Sequence, residues 1–322
     1  MDAETLAGRR LFVTGGAGFI GSRLVDQACR AGADVAVFDN LSVRLPMLAA
    51  RPRLIKTTGD IRDAAAIASA VAAFMPDTLI HLAAVHHIPT CERQRAYSLD
   101  VNVIGTENVL AAGESTGVGH IVLASTGAVY AWGEERLVEE SSPLGSSDNY
   151  SVAKLANESQ CRFWADRTSG RLSIARIFNT IGWNDPNAHL IPDILDQLTG
   201  AATATLRLGN LRPRRDYIFV EDTAAGLLAM ATRPFAGGPP ADIFNICTGD
   251  ETSVEDLVRM IGTVTGVALT IEQDPGRVRR VDRISQVGDA SKARAAFGWQ
   301  AASSLRQSVE RIVGDTRVAS AA

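Results

Sequence analysis

The sequence predicts an α/β fold: a doubly wound parallel sheet with a smaller C-terminal α/β lobe. Three observations carry this. Short apolar runs alternate with stretches of helical spacing as far as Phe178, a glycine-rich turn joins the first strand to the first helix, and beyond Phe178 the rhythm breaks into loops and shorter elements. Strand–helix alternation at this spacing implies parallel strands with helices on both faces.

Residues 10–14 form an apolar run ending at glycines and read as a buried strand. Residues 19–31 have helical spacing, and 34–38 are a second strand ending at Asp39. A strand at 54–57, a helix at 64–74 and a strand at 78–82 continue the pattern. One long helix is expected over 92–115, then a strand at 120–124, a helix at 149–168 and a strand at 172–177. The Asn-, Asp-, Pro- and Gly-rich stretch 182–188 reads as a loop, followed by a helix at 189–198 and a strand at 205–208. Residues 209–215 are expected as loop, 217–220 as strand and 221–231 as helix. A Pro/Gly linker at 233–240 precedes a strand at 242–246, and helices near 253–264 and 303–314 complete the chain.

Gly16-Ala17-Gly18-Phe19-Ile20-Gly21 satisfies G-x-G-x-x-G between a strand and a helix, the context in which that spacing binds a dinucleotide. The glycines permit a tight turn, backbone approach to a pyrophosphate and close helix–strand packing. Gly15, Gly18, Phe19, Ile20 and Gly21 are the expected contacts, because free N–H groups at a helix N-terminus attract the pyrophosphate. Asp39, with Asn40 after it, ends the second strand, where a carboxylate bonds the adenosine ribose and repels a 2′-phosphate. That favours NAD, against the alternative of an ordinary turn Asp. Asp60-Ile61 either borders the adenine or caps the next helix. A Rossmann-type NAD-binding domain is therefore expected over 1–178 with about 214–247, and a substrate lobe over about 179–213 and 248–322.

Tyr150 and Lys154 lie at (i, i+4) on one helical face, where an ammonium lowers a phenol's pKa toward the range a proton-transfer catalyst needs. The formal net charge of −4 gives no basic footprint for nucleic acid. The four scattered cysteines form no disulfide framework or ligand cluster, so no metal site is expected and a cytoplasmic location is. No apolar stretch approaches a membrane span.

Beside these residues the chain resembles the extended short-chain dehydrogenase/reductase family, the nucleotide-sugar epimerases and dehydratases. The motifs carrying the resemblance run in order through nearly the whole sequence: the glycine loop, Gly59-Asp60-Ile61-Arg62-Asp63, His81-Leu82-Ala83-Ala84, Asn102-Val103-Ile104-Gly105-Thr106, Ser125-Thr126-Gly127-Ala128-Val129-Tyr130, Tyr150/Lys154, Arg176-Ile177-Phe178-Asn179, Arg215-Asp216-Tyr217-Ile218-Phe219-Val220 and Asp289-Ala290-Ser291-Lys292-Ala293. The resemblance implies that Tyr150 is the general acid/base, that Lys154 binds the nicotinamide ribose, and that Thr126 bonds the sugar oxygen being oxidised. It places Leu82, Ala83 and Ala84 at the cofactor, and Asn179 and Arg215 at the substrate diphosphate. His189, Leu190 and Leu208 fall at the nucleotide. His86 is expected against the sugar, with a packing role as its alternative, and Arg279 is the choice from its basic run for a phosphate.

Family dehydratases carry an acidic pair after the threonine; here the residues are Gly127-Ala128. That implies a 4-epimerase with bound NAD, acting on a UDP-linked hexose or hexuronate as a homodimer. A 4-keto-sugar reductase and a non-catalytic NAD-binding regulator are the competing readings.

Overall fold

The computed structural model describes residues 6–43, 48, 50–133, 137–187, 189–198, 202–233, 240–278 and 283–321. A seven-stranded parallel sheet forms the centre. Its strands are β1 (Arg10–Thr14), β2 (Asp34–Asp39), β3 (Leu54–Thr58), β4 (Thr78–His81), β5 (His120–Thr126), β6 (Arg171–Ile177) and β7 (Ala241–Ile246), in the spatial order β7-β6-β5-β4-β1-β2-β3. The order reverses at β1. Chain connections leave β1 and β4 in opposite directions, which opens a crevice beyond their C-terminal ends. The expected doubly wound α/β sheet is present.

Burial on both faces explains why these strands read as continuous apolar runs: every residue of β4 is buried, as are Leu11, Phe12, Val13 and Thr14 of β1. Two helices, α1 (Phe19–Arg30) and a later helix, Val220–Thr232, cover one face through Leu24, Val25, Ala28, Leu227 and Leu228. The other face carries α2 (Ala64–Phe74), α3 (Gly105–Ser115) and α4 (Asn149–Arg167), through Ile67, Val71, Val109, Leu110, Cys161 and Trp164. A third cluster, with Ile194, Leu206, Leu257, Ile261 and Val309, joins helices Leu190–Asp196, Val254–Thr265 and Leu305–Ala321 to the parallel strand pair Thr203–Leu208 and Ala268–Gln273.

The expected single helix over 92–115 is replaced by two short helices, Ile88–Arg93 and Arg95–Leu99, a π-helical turn at Asp100–Ile104, and then α3. Asn102 lies within the π-helical turn. Its side chain accepts from the Val85 N–H at 2.7 Å and donates to the Val85 carbonyl at 2.9 Å. Its own carbonyl accepts from Asn157 Nδ2 and Thr106 Oγ1, each at 2.6 Å. Such bonds accompany a wider turn, a local irregularity of the kind that π-turns mark. The expected loop at 209–215 ends in a short strand, Arg214–Arg215, hydrogen-bonded between Thr252–Ser253 and Ser285–Gly288. Asn179–Ile181 likewise pairs in parallel with Tyr217–Phe219. Among the described residues no helix is long and apolar enough to cross a membrane.

α4 is held to the sheet by Trp164, which is fully buried and packs edge-on against Gly170, where a Cβ would come within 2.2 Å of the ring. Truncation there leaves a large cavity. Trp164→Ala is expected to destabilise the fold by about 3–5 kcal/mol in chemical denaturation; a loss under about 1 kcal/mol would show that α4 is anchored elsewhere.

Candidate active site

The crevice above β1 and β4 is built first by backbone. Gly15 adopts φ 71°, and a Cβ on it would lie 2.7 Å from the Ala83 nitrogen. At Gly21 an added Cβ would stand 2.2 Å from the Gly15 carbonyl oxygen. The loop therefore closes on β4 and α1 only as glycine. α1 begins at Phe19 with no side chain capping it, so its first N–H groups face the crevice without intrahelical partners. That donor set fits the pyrophosphate of a dinucleotide.

At one end of the crevice stand two carboxylates. Asp39 accepts from the Ala17 N–H at 2.9 Å and from the Leu41 N–H at 2.8 Å. Asp60 is gripped by Arg62 through Nε at 3.0 Å and Nη2 at 2.8 Å, and Asn40 Nδ2 donates to it at 3.3 Å. The Arg62 bonds hold its carboxyl at about 2, well below the usual range. Asp63, not Asp60, caps α2, accepting from the Ala66 N–H at 3.0 Å. Asp60 is thus left to line the cleft beside Ile61.

The other end carries Tyr150 and Lys154. Asp148 caps α4, closing a capping box with Ser151, and the Glu92 carboxylate accepts from Asn149 N and Nδ2, each at 2.8 Å. This fixes Tyr150 in the first turn. Lys154 is buried, its Nζ donating to the Ala124 carbonyl at 2.8 Å and lying 5.8 Å from the Tyr150 ring centroid. Burial lowers Lys154 to about 8. Thr126, at the end of β5, accepts from the Ala128 N–H at 3.2 Å, and its hydroxyl is near enough to the Tyr150 phenol to favour the phenolate. The phenol differs from the sequence expectation. Burial raises its pKa, Cys91 and Asp148 add to the effect, and only the Thr126 hydroxyl lowers it. The ammonium is turned to the Ala124 carbonyl, so in the chain itself it does not offset that burial.

Beneath the glycine loop, His81 Nδ1 pairs with Thr14 Oγ1 at 2.6 Å and Nε2 with Thr106 Oγ1 at 2.9 Å. Burial pushes this imidazole down to about 3, so it is a neutral strut between β1 and α3. At the outer rim, His86 Nε2 pairs with Asn187 Nδ2 at 2.8 Å, and His189 Nδ1 with Asp185 Oδ2 at 2.7 Å. Asn184, at φ 62°, turns the chain so that Asp185 faces the cleft.

One continuous cleft brings together all the residues expected at the cofactor: Gly15, Gly18, Phe19, Ile20, Gly21, Asp39, Asn40, Asp60, Ile61, Leu82, Ala83, Ala84, Tyr150 and Lys154. Thr126, His86 and His189 also line it. Four expected substrate residues stand elsewhere. Asn179 begins a paired strand, and Leu190 packs against the second-lobe cluster. Arg215 Nη1 donates to the carbonyls of Arg214 and Arg283 at 2.9 and 2.7 Å. Leu208 corrects its assignment: it is 2% exposed inside the second-lobe core, because alternation along Thr203–Leu208 turns Leu206 and Leu208 inward. Arg279 lies outside the described residues. Val85, Ser125, Phe178, Thr180 and Asp185 line the cleft without having been expected there. Ser125 and Phe178 adjoin recognised motifs, and Asp185 had only a turn-like composition to mark it.

The sequence profile of the NAD dependent epimerase/dehydratase family matches residues 11–247. The chain is similar to a GDP-6-deoxy-D-mannose reductase from Pseudomonas aeruginosa, with 29% identity over 95% of this chain and 97% of that one. It is similar to a UDP-glucose 4-epimerase from Streptomyces lividans, with 33% identity over 90% of this chain and 91% of the relative. Among solved structures, the UDP-glucose 4-epimerase of Thermotoga maritima with UDP-glucose superposes with a TM-score of 0.86 at 25% identity, covering 96% of this chain and 99% of that one.

The glycine geometry gives a direct test. Gly21→Ala forces backbone apart at the Gly15 carbonyl, and NAD affinity measured by calorimetry is expected to fall at least about tenfold. Unchanged affinity would mean that the dinucleotide does not sit on this loop.

Proposed function

The chain belongs to the NAD dependent epimerase/dehydratase family, and within it we propose a nucleotide-sugar 4-epimerase, acting on a UDP-linked hexose or hexuronate through transient oxidation at C4. The cofactor is NAD. In this reading the glycine loop and the α1 N-terminus hold its pyrophosphate, Asp39 its adenosine ribose, and Lys154 its nicotinamide ribose. Bound there, NAD supplies a reversible acceptor for the hydride at sugar C4.

The chain's own residues do the rest. Thr126 and Tyr150 line the same cleft, so a sugar hydroxyl entering between them meets a donor and a base. Tyr150 as phenolate takes the C4 hydroxyl proton and, after the 4-keto sugar has turned its other face, returns it. Burial opposes the phenolate, so its formation depends on positive charge brought close when the site fills. Lys154 is the nearby protein cation. The hydrophobic walls, Phe178 and Ile177 among them, exclude water and strengthen that attraction.

The observation that carries the epimerase over a dehydratase is the absence of a carboxylate in the turn that follows Thr126, Gly127–Val129. Gly127 lies against the Phe178 ring and Gln286, with Ala128 next. The carboxylates lining the cleft, among the described residues, are Asp39, Asp60 and Asp185. The first two stand beside the glycine loop and Asp185 is paired with His189. None is placed to eliminate water next to the oxidised carbon. A 4-keto-sugar reductase is the second reading, favoured by the likeness to the Pseudomonas enzyme. A homodimer through the 88–115 helices and α4 belongs to the same proposal; Ile104, Val152 and Phe163 are exposed there.

A panel of UDP-, dTDP-, CDP- and GDP-sugars, supplied without added cofactor and resolved by NMR, tests the proposal. Inversion at C4 with no net change in NADH is expected. Stoichiometric NADH consumption with a reduced sugar product would assign the reductase instead. Tyr150→Phe is expected to lower turnover by about 10²–10⁴-fold with NAD still bound; full activity in that variant rules out the phenol as the acid/base.

A further inference from the structure

Directly behind Tyr150 and Lys154 lies a buried ion pair to which the proposed chemistry assigns no part. Arg176 reaches from β6 and clamps the Glu158 carboxylate with both arms of its guanidinium, Nε to Oε1 at 3.0 Å and Nη2 to Oε2 at 2.8 Å. The side chains are 1% and 4% exposed. Ser125 Oγ donates to Oε1 at 2.6 Å, and Arg176 Nη1 to the Glu140 carbonyl at 3.1 Å. The guanidinium also sits 4.8 Å over the Tyr130 ring, whose hydroxyl donates to Asn245 Oδ1 at 2.5 Å. Every polar arm is satisfied. Even so, a buried pair of this kind usually adds little stability over apolar residues of equal volume, because desolvation offsets the attraction. Its position is the informative part. Glu158 is one helical turn from Lys154 on the same face of α4, and Ser125 precedes Thr126 on β5.

We propose that Glu158 is a positioning residue for the proton chemistry: locked by Arg176 and Ser125, its carboxylate is the formal negative charge that keeps the buried Lys154 an ammonium. The groups that face Lys154 support this. From its own helix come Tyr150, Cys161 and Glu158, from helix Ile88–Arg93 comes Cys91, and His81 and His86 feel its charge from β4 and the segment after it. Burial raises the pKa of both thiols and of the phenol, and keeps the His81 imidazole neutral. Glu158 is the carboxylate among these, held by both arms of the Arg176 guanidinium and by the Ser125 hydroxyl. Burial drives Lys154 downward; Cys161, Cys91 and Glu158, in that order, oppose it, and Glu158 is the carboxylate of the three. Without it the lysine would lose its proton at the pH where Tyr150 needs a cation beside it. Arg176 acts one step further back, fixing where the Glu158 carboxylate points through its two bonds.

This inference rests on the use of Lys154 in the proposed reaction, but its test needs no sugar. The sequence has only three lysines, Lys56, Lys154 and Lys292. Protein labelled at lysine Cε with ¹³C and saturated with NAD therefore gives three resolvable titrations by NMR, and the Lys154 signal is the one lost in Lys154→Arg. Glu158→Gln alone leaves a buried guanidinium unpaired, so the decisive variant is Glu158→Gln with Arg176→Met, which removes both charges at similar volume. The Lys154 midpoint is expected to fall by about one pH unit or more in that double variant. Lys56 and Lys292 are expected to stay put, and Glu158→Asp to retain the wild-type value. A folded double variant with an unmoved Lys154 midpoint overturns the proposal and leaves the pair a packing device. If the midpoint moves while no nucleotide sugar is epimerised, the function fails and this inference stands.

Discussion

The hydrogen bond from Lys154 Nζ to the Ala124 carbonyl is the contact on which the rest of the site depends. It joins α4, which carries Tyr150, to β5, which carries Thr126, and it does so at the open end of the sheet. Side-chain packing fixes the distance between helix and strand but leaves rotation about the helix axis loosely set, and the Ser125–Glu158 bond one turn on is the other directional tie. A directional bond from a charged donor sets that rotation. With the turn at Asp148–Ser151 fixed as well, Tyr150 has little freedom to leave the crevice.

The same bond accounts for the electrostatic balance. A buried ammonium bonded to one carbonyl needs further negative charge, and a buried phenol near it resists ionising. The chain meets the first need with a clamped carboxylate. The second is deferred until a ligand fills the cleft, so the acid/base is held in its unreactive form while the site is open to water.

The central sheet was legible because its strands are buried on both faces and leave continuous apolar runs such as Leu11-Phe12-Val13. The cofactor wall was legible for a related reason: Gly15 and Gly21 answer to steric limits that only glycine meets. What escaped notice was decided by contacts distant in sequence. The break at Asp100–Ile104 comes where Asn102 meets Val85, and nothing in the local spacing marks it. Arg214–Arg215 and Thr252–Ser253 are too short to show a period of two. Asp185 faces the cleft because Asn184 takes a left-handed conformation and the chain returns over the rim. Ala268–Gln273 did alternate and could have been read as a strand; Leu208 was placed at a ligand although its own strand turns it into the core.

The π-helical turn has a further consequence for how such a chain can change length. Five residues occupy a turn that an α-helix closes with four, so the turn behaves as a one-residue insertion accommodated inside a helix. Excising a residue there would tighten the turn to an ordinary α-helical one and leave the flanking helices in phase, so the change would fall on the turn's own residues. Asn102 would swing away from Val85, and the loop carrying His86 would lose its tether. Insertions and deletions in this lineage should therefore collect in surface turns, while this helix, which looks the more permissive, keeps its count.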